Sequence, residues 1–380
     1  MILRNEHVAI LDFGSSKITC FVGVKTDDGF VIKATGTSKY DGYLNGEWLE
    51  PSKLKDAVSV AIQQANHTLG SKINSVFVGV PGEFTTVISG EASINFHFKK
   101  KVTRDDLADI FNKANIYADT KGLTAINRSS IYYVINNEQK VIDPVGLVAK
   151  KVMGLVSFIF VTDTFKKPVG KILSQLGITV TEYVSGCLAE ALFLLPKQTR
   201  DKFALLIDVG YISSSVMLVG GDGLVFMKSF SLGSGHVCAD LSQVLDVAFP
   251  VAEQLLSRVN LNLEVGPKDI YTLKDGVEVN ALQTNQIVMA RIEDIAQFIV
   301  KCFAECDFAI PSNTPVYITG GGMTYIRGGV DYLAKSLHKQ ITIPKPTNAS
   351  CDKHEHMSAY GLMDLAVAHA VPKKKFFRFF

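Results

Sequence analysis

No apolar run in this 380-residue chain approaches the roughly 18–20 residues with which a helix crosses a bilayer, which excludes a helix-spanning membrane protein. No signal-peptide apolar region follows Met1-Ile-Leu-Arg, and that start predicts a chain that is not exported. The six cysteines (Cys20, Cys187, Cys238, Cys302, Cys306 and Cys351) are scattered through apolar stretches without the dense pairing of a small secreted scaffold, so a reducing compartment is expected. An excess of one charge is lacking too. With 39 Lys+Arg against 37 Asp+Glu, the net charge of +2 sets up no overall field that would demand nucleic acid as a partner.

What is present is apolar bulk. Hydrophobic residues make up 47% of the chain and charged residues 20%, far from the balance of a disordered segment. The length exceeds the ~100–200 residues of one ordinary domain, so two or more packed units are expected.

One pattern occurs twice. Val8-Ala-Ile-Leu-Asp12-Phe-Gly14-Ser15-Ser16-Lys17 and Leu205-Leu-Ile-Asp208-Val-Gly210-Tyr-Ile-Ser213-Ser214 each run from an apolar strand into Asp-x-Gly and a hydroxyl-rich turn. A second apolar strand, an Asp-Gly turn (Asp28-Gly29; Asp222-Gly223) and a third strand follow each. Two such hairpins facing one another across a cleft make a nucleotide clamp. Gly14 and Gly210 let backbone approach a phosphate, while hydroxyls and N–H groups around Ser15–Lys17 and Ser213–Ser215 can bind its oxygens, Ser213 and Ser214 being the candidate contacts. Asp12 and Asp208 then meet at the phosphate tail, where Mg²⁺, through water, offsets their repulsion. A third element, Ile318-Thr-Gly320-Gly321-Gly322-Met323, is a strand breaking into glycines. The missing side chains leave a surface on which a purine can lie, ahead of a helix N-terminus.

These three motifs in this order resemble the actin/Hsp70/sugar-kinase superfamily, and their details resemble FtsA, the actin-like bacterial cell-division protein family. The resemblance covers nearly the whole chain and includes the glycine loop Gly233-Ser234-Gly235. It implies an α/β, ribonuclease H-like two-domain ATPase fold of actin type carrying the family's own 1C subdomain. Segments that match 1C include Ile131-Tyr-Tyr-Val-Ile-Asn, Val141-Ile-Asp-Pro-Val-Gly146 and Leu155–Val161. The implied division of the chain is 1–83 (1A, first part), 84–162 (1C, an SHS2-like insertion), 163–202 (1A, second part), 203–240 (2A, first part), 241–309 (2B), 310–370 (2A, second part) and a tail at 371–380.

The resemblance also implies a function. ATP with Mg²⁺ is the expected ligand, self-assembly into a filament the expected state, and the C-terminal peptide of FtsZ the expected partner, alongside later division proteins. The long helix expected from about Thr284 to Glu305 offers Arg291 and Lys301 to that acidic peptide. The sequence departs from the family at three places. Tyr211 and Ile212 bring bulk into the second phosphate turn, Leu256 replaces a cation three residues after Glu253, and Ser185-Gly186 stand where relatives carry Glu-Pro. Glu253 remains as a candidate for the ribose. With no general base evident, ATP binding with slow hydrolysis is expected.

The last ten residues, Val371-Pro-Lys373-Lys374-Lys375-Phe376-Phe377-Arg378-Phe379-Phe380, place four Phe on one helical face opposite Arg378 at 100° per residue. Rings at the acyl boundary and cations among anionic headgroups make an interfacial anchor. The expected location is therefore the cytoplasmic face of the bacterial membrane at the division site, held peripherally. Two other readings of the same fold are a PilM-like pilus adaptor and an ATP-dependent small-molecule kinase. The cluster Cys351-Asp-Lys-His354-Glu-His356 carries zinc-type ligands but lacks a second pair at supporting spacing, and reads as a polar loop.

Overall fold

The computed structural model describes residues 7–114, 121–274, 276–346, 348 and 351–370. The first repeat folds as β1 (Val8–Phe13), β2 (Lys17–Thr26) and β3 (Gly29–Lys39), an antiparallel meander in which Asp12 pairs with Thr19. Helix α1 (Pro51–Leu69) crosses over and returns the chain as β4 (Ser75–Val80), parallel to β1. Proline in the first turn of α1 costs no backbone bond, and Gly70 in the left-handed region ends the helix.

The chain then leaves this sheet. Strand β5 (Thr85–Lys101), α2 (Arg104–Ala114), β6 (Leu123–Ile135), β7 (Gln139–Val141) and β8 (Val148–Thr162) build a separate four-stranded sheet of order β5-β8-β6-β7. It has its own core around Ile110, Phe111, Val152, Val156 and Phe158. Helix α3 (Asp163–Gln175), β9 (Thr179–Ser185) and α4 (Gly186–Leu194) return the chain to the first sheet, whose order is β9-β4-β1-β2-β3.

The second repeat copies the first. Strands β10 (Ala204–Val209), β11 (Ser214–Gly220) and β12 (Gly223–Phe230) form a meander in which Asp208 pairs with Ser215. Helices α5 (Ser234–Leu245), α6 (Phe249–Leu256) and α7 (Ala281–Ala304) lead to β13 (Val316–Thr319), parallel to β10. Helix α8 (Gly329–Ser336) and β14 (Ile341–Thr342) finish a sheet of order β12-β11-β10-β13-β14. The two five-stranded sheets therefore share one topology, and in both the Asp-x-Gly turn falls at the end of a central strand.

The final helix, α9 (Met357–Ala370), corrects one expected boundary. Residues 310–370 were expected to lie in the second domain, but α9 packs on β1, β2 and α4 of the first. Met357, Tyr360, Leu362, Met363 and Ala366 complete the core with Ile10, Phe21 and Phe30. That face of the first sheet is apolar and α3 covers the other one with α1, so an apolar helix from the far end of the chain is needed to bury it.

The inserted sheet also touches the second domain. Ser157 Oγ donates to the Leu224 carbonyl at 2.6 Å, Asp222 N–H donates to the Ser130 carbonyl at 3.2 Å, and Ile131 and Leu155 pack with Phe203, Leu218 and Val225. Buried Arg200 pins this junction. Its Nε donates to the Gly221 carbonyl at 2.9 Å, Nη1 to the Leu195 carbonyl, and Nη2 pairs with Asp222 at 3.0 Å. Arg200→Met should cost about 2–3 kcal/mol, since carbonyl acceptors and a carboxylate lose their donor in one step. Urea denaturation would register it, and an unchanged midpoint would show that the junction does not depend on this side chain.

Candidate functional site: the cleft between the two domains

The three motif turns meet at one cleft of about 420 Å³, a size that accommodates a nucleotide-scale ligand. From the first domain come Asp12, Gly14, Ser15, Ser16 and Lys17; from the second come Asp208, Gly210, Ser213, Ser234, Glu253, Gly320, Gly321 and Gly322. All thirteen are among the residues singled out from sequence.

Local geometry explains why these turns hold their shape. Tyr40 Oη donates to the Gly14 carbonyl at 2.7 Å, and Gly210 N–H donates to the Ser213 carbonyl at 3.0 Å. Gly320 has φ +88°, a conformation that side chains rarely adopt, and a Cβ there would lie 2.2 Å from Asp208 Oδ1. Gly322 is closer still to its neighbours, with a Cβ position 2.0 Å from the Gly210 carbonyl oxygen. The glycines are what allow the Gly320–Gly322 loop to lie directly against the second Asp-x-Gly turn.

Four expected contacts fall elsewhere. Ser214 faces away from the cleft, its Oγ donating to the Leu232 carbonyl, while Ser213 and Ser215 of the same expected turn line it. On a strand alternate residues share a face, so Ser213 and Ser215 go together and Ser214 cannot join them. Gly233 and Gly235 buttress the second turn instead of lining the cleft. Ser234 and Gly235 N–H groups donate to the Gly210 and Tyr211 carbonyls at 3.1 and 2.7 Å, and a Cβ on Gly233 would meet those same oxygens. Met323 is fully buried in the core of the second domain.

The bulky residues of the second turn have specific partners. Ile212 N–H donates to Ser15 Oγ at 3.0 Å, so the two Asp-x-Gly turns touch across the cleft. Tyr211 Oη donates to Glu253 Oε1 at 2.9 Å, so the carboxylate expected at a ribose is here shared with a phenol.

Electrostatics set the cleft floor apart. Burial pushes the Asp12 carboxyl up to about 6, although Ser358 Oγ donates to it at 3.0 Å and Lys17 lies near. Burial, then the Asp12 charge, raises Asp208 to about 7. Glu190 is raised well above the usual carboxylate range by burial and by Asp208, though Thr319 Oγ1 donates to it at 3.0 Å. Burial also lowers Lys17, against the pull of Glu355 and Asp12. The floor thus favours neutral acids and would gain from a cation. Among the described residues no group of three or more His, Cys, Asp or Glu side chains is arranged to hold a metal. The donor set fits a hard ion that arrives with phosphate oxygens and keeps its own water, with Asp12 and Asp208 facing it.

Sequence reasoning missed Glu190, Glu355 and Ser358. A single carboxylate inside the apolar run Gly186–Leu194 was a usable signal, because such a residue is rarely buried without a partner or a task. Glu355, which accepts from Tyr325 Oη, lies in the segment read as a polar loop, and Ser358 lies in the first turn of α9.

The partner-facing cations expected on α7 are corrected in part. Arg291 is held by Asp240, at 2.6 and 2.8 Å, and by Asp294 at 3.2 Å. A guanidinium already paired bidentately is not free for an acidic peptide. Lys301 is exposed, its Nζ 5.1 Å from the centre of the Phe298 ring. The expected membrane residues Lys373, Lys374, Lys375, Phe376, Phe377, Arg378, Phe379 and Phe380 lie outside the described residues.

Two meanders of one topology, joined by a cleft where two Asp-x-Gly turns face a glycine turn, define an actin-like nucleotide-binding fold. Solved structures agree: the PilM-PilN type IV pilus biogenesis complex superposes with a TM-score of 0.62 at 14% identity, over 96% of this chain and 99% of that one. MreB5 of Spiroplasma citri bound to AMPPNP gives 0.54 at 10% identity, over 94% and 95%. In sequence the chain resembles FtsA. It is 20% identical to the cell division protein FtsA of Bacillus subtilis over 381 residues, 97% of this chain and 85% of that protein. To FtsA of Enterococcus faecalis it is 23% identical over 349 residues, 89% and 78%. No family model matches the chain.

Proposed function

We propose that this chain is an ATP-binding, actin-like cell-division protein that polymerises on the cytoplasmic membrane and tethers FtsZ there through its C-terminal tail. The observation that carries the reading is end-to-end similarity to proteins named FtsA, in a chain whose two Asp-x-Gly turns and triple glycine line one cleft. In this reading Gly14, Ser15, Ser16 and Lys17 hold phosphate from one side, Gly210, Ser213 and Ser234 from the other. Gly320–Gly322 seat the nucleoside beside Glu253. Mg²⁺, facing Asp12 and Asp208, would neutralise charge on the phosphates, and this chain's part is to orient them and shut out water. Slow turnover is part of this reading, because Ser185-Gly186 stand where relatives carry Glu-Pro and phosphoryl transfer needs an oriented water as well as charge neutralisation. Among the described residues no helix is long and apolar enough to cross a membrane.

The test is negative-stain electron microscopy of the protein on an anionic lipid monolayer with Mg²⁺-ATP, beside a version ending at Val371. Filaments on lipid from the intact chain alone are expected. Filaments from both forms, or no lipid binding by either, would reject the anchor. A pilus-adaptor role is the second reading, favoured by the 0.62 superposition on the PilM-PilN complex. Binding of an FtsZ C-terminal peptide to the chain separates the two, since the adaptor reading predicts none.

A further inference from the structure

The inserted sheet carries a feature that the nucleotide cleft and the tail do not explain. Strand β5 is an edge strand. Its pairing with β8 runs regularly to Lys151↔Asn95 and resumes at Ala149↔Lys100, so Phe96–Lys99 stand opposite Lys150 alone. Four residues against one make a large bulge, and bulges re-aim side chains. Ile94 is buried and Phe96 half-buried, but Phe98 is 84% exposed, the most exposed large apolar side chain among the described residues.

Its surroundings are of one kind. Val145, Leu147 and Val148 are exposed at the neighbouring end of the strand, held there by Val102 N–H to the Leu147 carbonyl at 2.9 Å and by the Val148↔Lys101 pair. Lys99, Lys101 and Lys150 are exposed at the same tip. Lys100 is occupied, bonding Asp106 at 2.7 Å with its ammonium 4.5 Å from the centre of the Phe96 ring. Asp106 is further satisfied by Thr103, and Asp143 accepts from Val145 N–H at 3.0 Å. Asp106 and Asp143 are thus engaged locally, Asp105 is exposed at the start of α2, and Lys99, Lys101 and Lys150 outnumber it at the surface.

We propose that this tip, centred on Phe98, is a second membrane contact that inserts into the headgroup region of an anionic bilayer. Lysines around an edge strand are also how proteins block unwanted strand pairing, and the bulge here does block it. That block argues against a second copy adding a strand. A convex knob also lacks the groove into which a partner helix would lie. A projecting aromatic ringed by cations fits a lipid interface, where rings sit at the acyl boundary and ammonium groups among phosphates. The sequence uses the same chemistry twice: Phe98-Lys99-Lys100-Lys101 mirrors Lys373-Lys374-Lys375-Phe376. Two weak contacts carried by one chain bind far more tightly than either alone when both reach the surface.

The inference rests on the peripheral-membrane reading above, and the experiment keeps the two separate. Flotation of the intact chain with phosphatidylglycerol vesicles tests membrane binding as such. Phe98→Trp in the intact chain, with vesicles of brominated phosphatidylglycerol, tests the tip. The wild-type chain supplies the background, because its only tryptophan, Trp48, is packed against Phe84 and Phe165. The added emission should be quenched by brominated anionic vesicles and not by brominated phosphatidylcholine. Lys99→Glu with Lys101→Glu should weaken flotation about tenfold or more, since each cation near an acidic leaflet adds attraction and each new carboxylate adds repulsion. Protein that floats while the introduced indole stays unquenched overturns the inference and leaves the tail reading standing. Shielding of that indole that grows with protein concentration in the absence of lipid overturns it in favour of a second copy. Failure of the wild-type chain to float rejects both.

Discussion

Asp208→Asn is expected to cut Mg²⁺-dependent ATP binding by roughly 10–100-fold while stabilising the nucleotide-free protein at pH 8.5 and stabilising it less at pH 5. The loss follows from removing one of the two carboxylates that would face the ion. The gain follows from proton linkage. Asp208 titrates near 7 in the folded protein against an ordinary value of 3.8, so between those values the native state binds its proton more tightly than the unfolded state does. Stability therefore falls as pH rises through that window. Asn cannot ionise and escapes the fall. Even with water reaching the cleft floor, relief on the order of 2 kcal/mol at pH 8.5 is expected. Thermal unfolding of both forms at the two pH values, with and without Mg²⁺-ATP, is the measurement. Equal melting temperatures at pH 8.5 would show that the carboxylate is stabilised in its charged form and that the clamp is wrongly drawn.

Gly322→Ala should abolish nucleotide binding outright and destabilise the second domain by about 3 kcal/mol or more. The added methyl would stand 2.0 Å from the Gly210 carbonyl oxygen and 2.7 Å from that of Val209. Both are backbone atoms on a central strand and its turn, so nothing flexible can yield. The glycine loop must lift off the phosphate turn, and the nucleoside seat goes with it. Gly321→Ala is the matched control, because its methyl meets the Glu355 side chain at 3.0 Å, a contact that a small shift relieves. A fluorescent ATP analogue titrated into the three proteins reads affinity, and urea unfolding reads stability. Wild-type affinity in Gly322→Ala would mean that nucleotide does not use this loop.

How much of this was legible before folding varies with the range of the signal. The two meanders were readable because Asp-x-Gly, the hydroxyl turn and the Asp-Gly hairpin are local, and each constrains backbone over a few residues. The inserted sheet was legible through resemblance, since segments within 84–162 match the family's 1C subdomain, whereas no local pattern announces a separate sheet. Ser214 was misplaced by one position of strand parity, which no composition argument resolves. Arg291 was misjudged because its partner Asp240 is 51 residues away, on a helix that only the packed domain brings alongside.

The sequence by itself determined the repeat, the three turns of the cleft and the chemistry of the tail. All three depend on residue types within short windows, where glycine freedom, carboxylate charge and helical periodicity act without help from the rest of the chain. The tertiary structure alone decided that α9 belongs to the first domain, that Glu190 reaches the cleft floor and that Phe98 stands out from an edge strand. An apolar helix or a lone carboxylate announces that it will be buried but not against what, and a bulge is a property of two strands in register. Those outcomes depend on surfaces meeting across hundreds of residues, where packing and desolvation rather than local propensity set the lowest free energy.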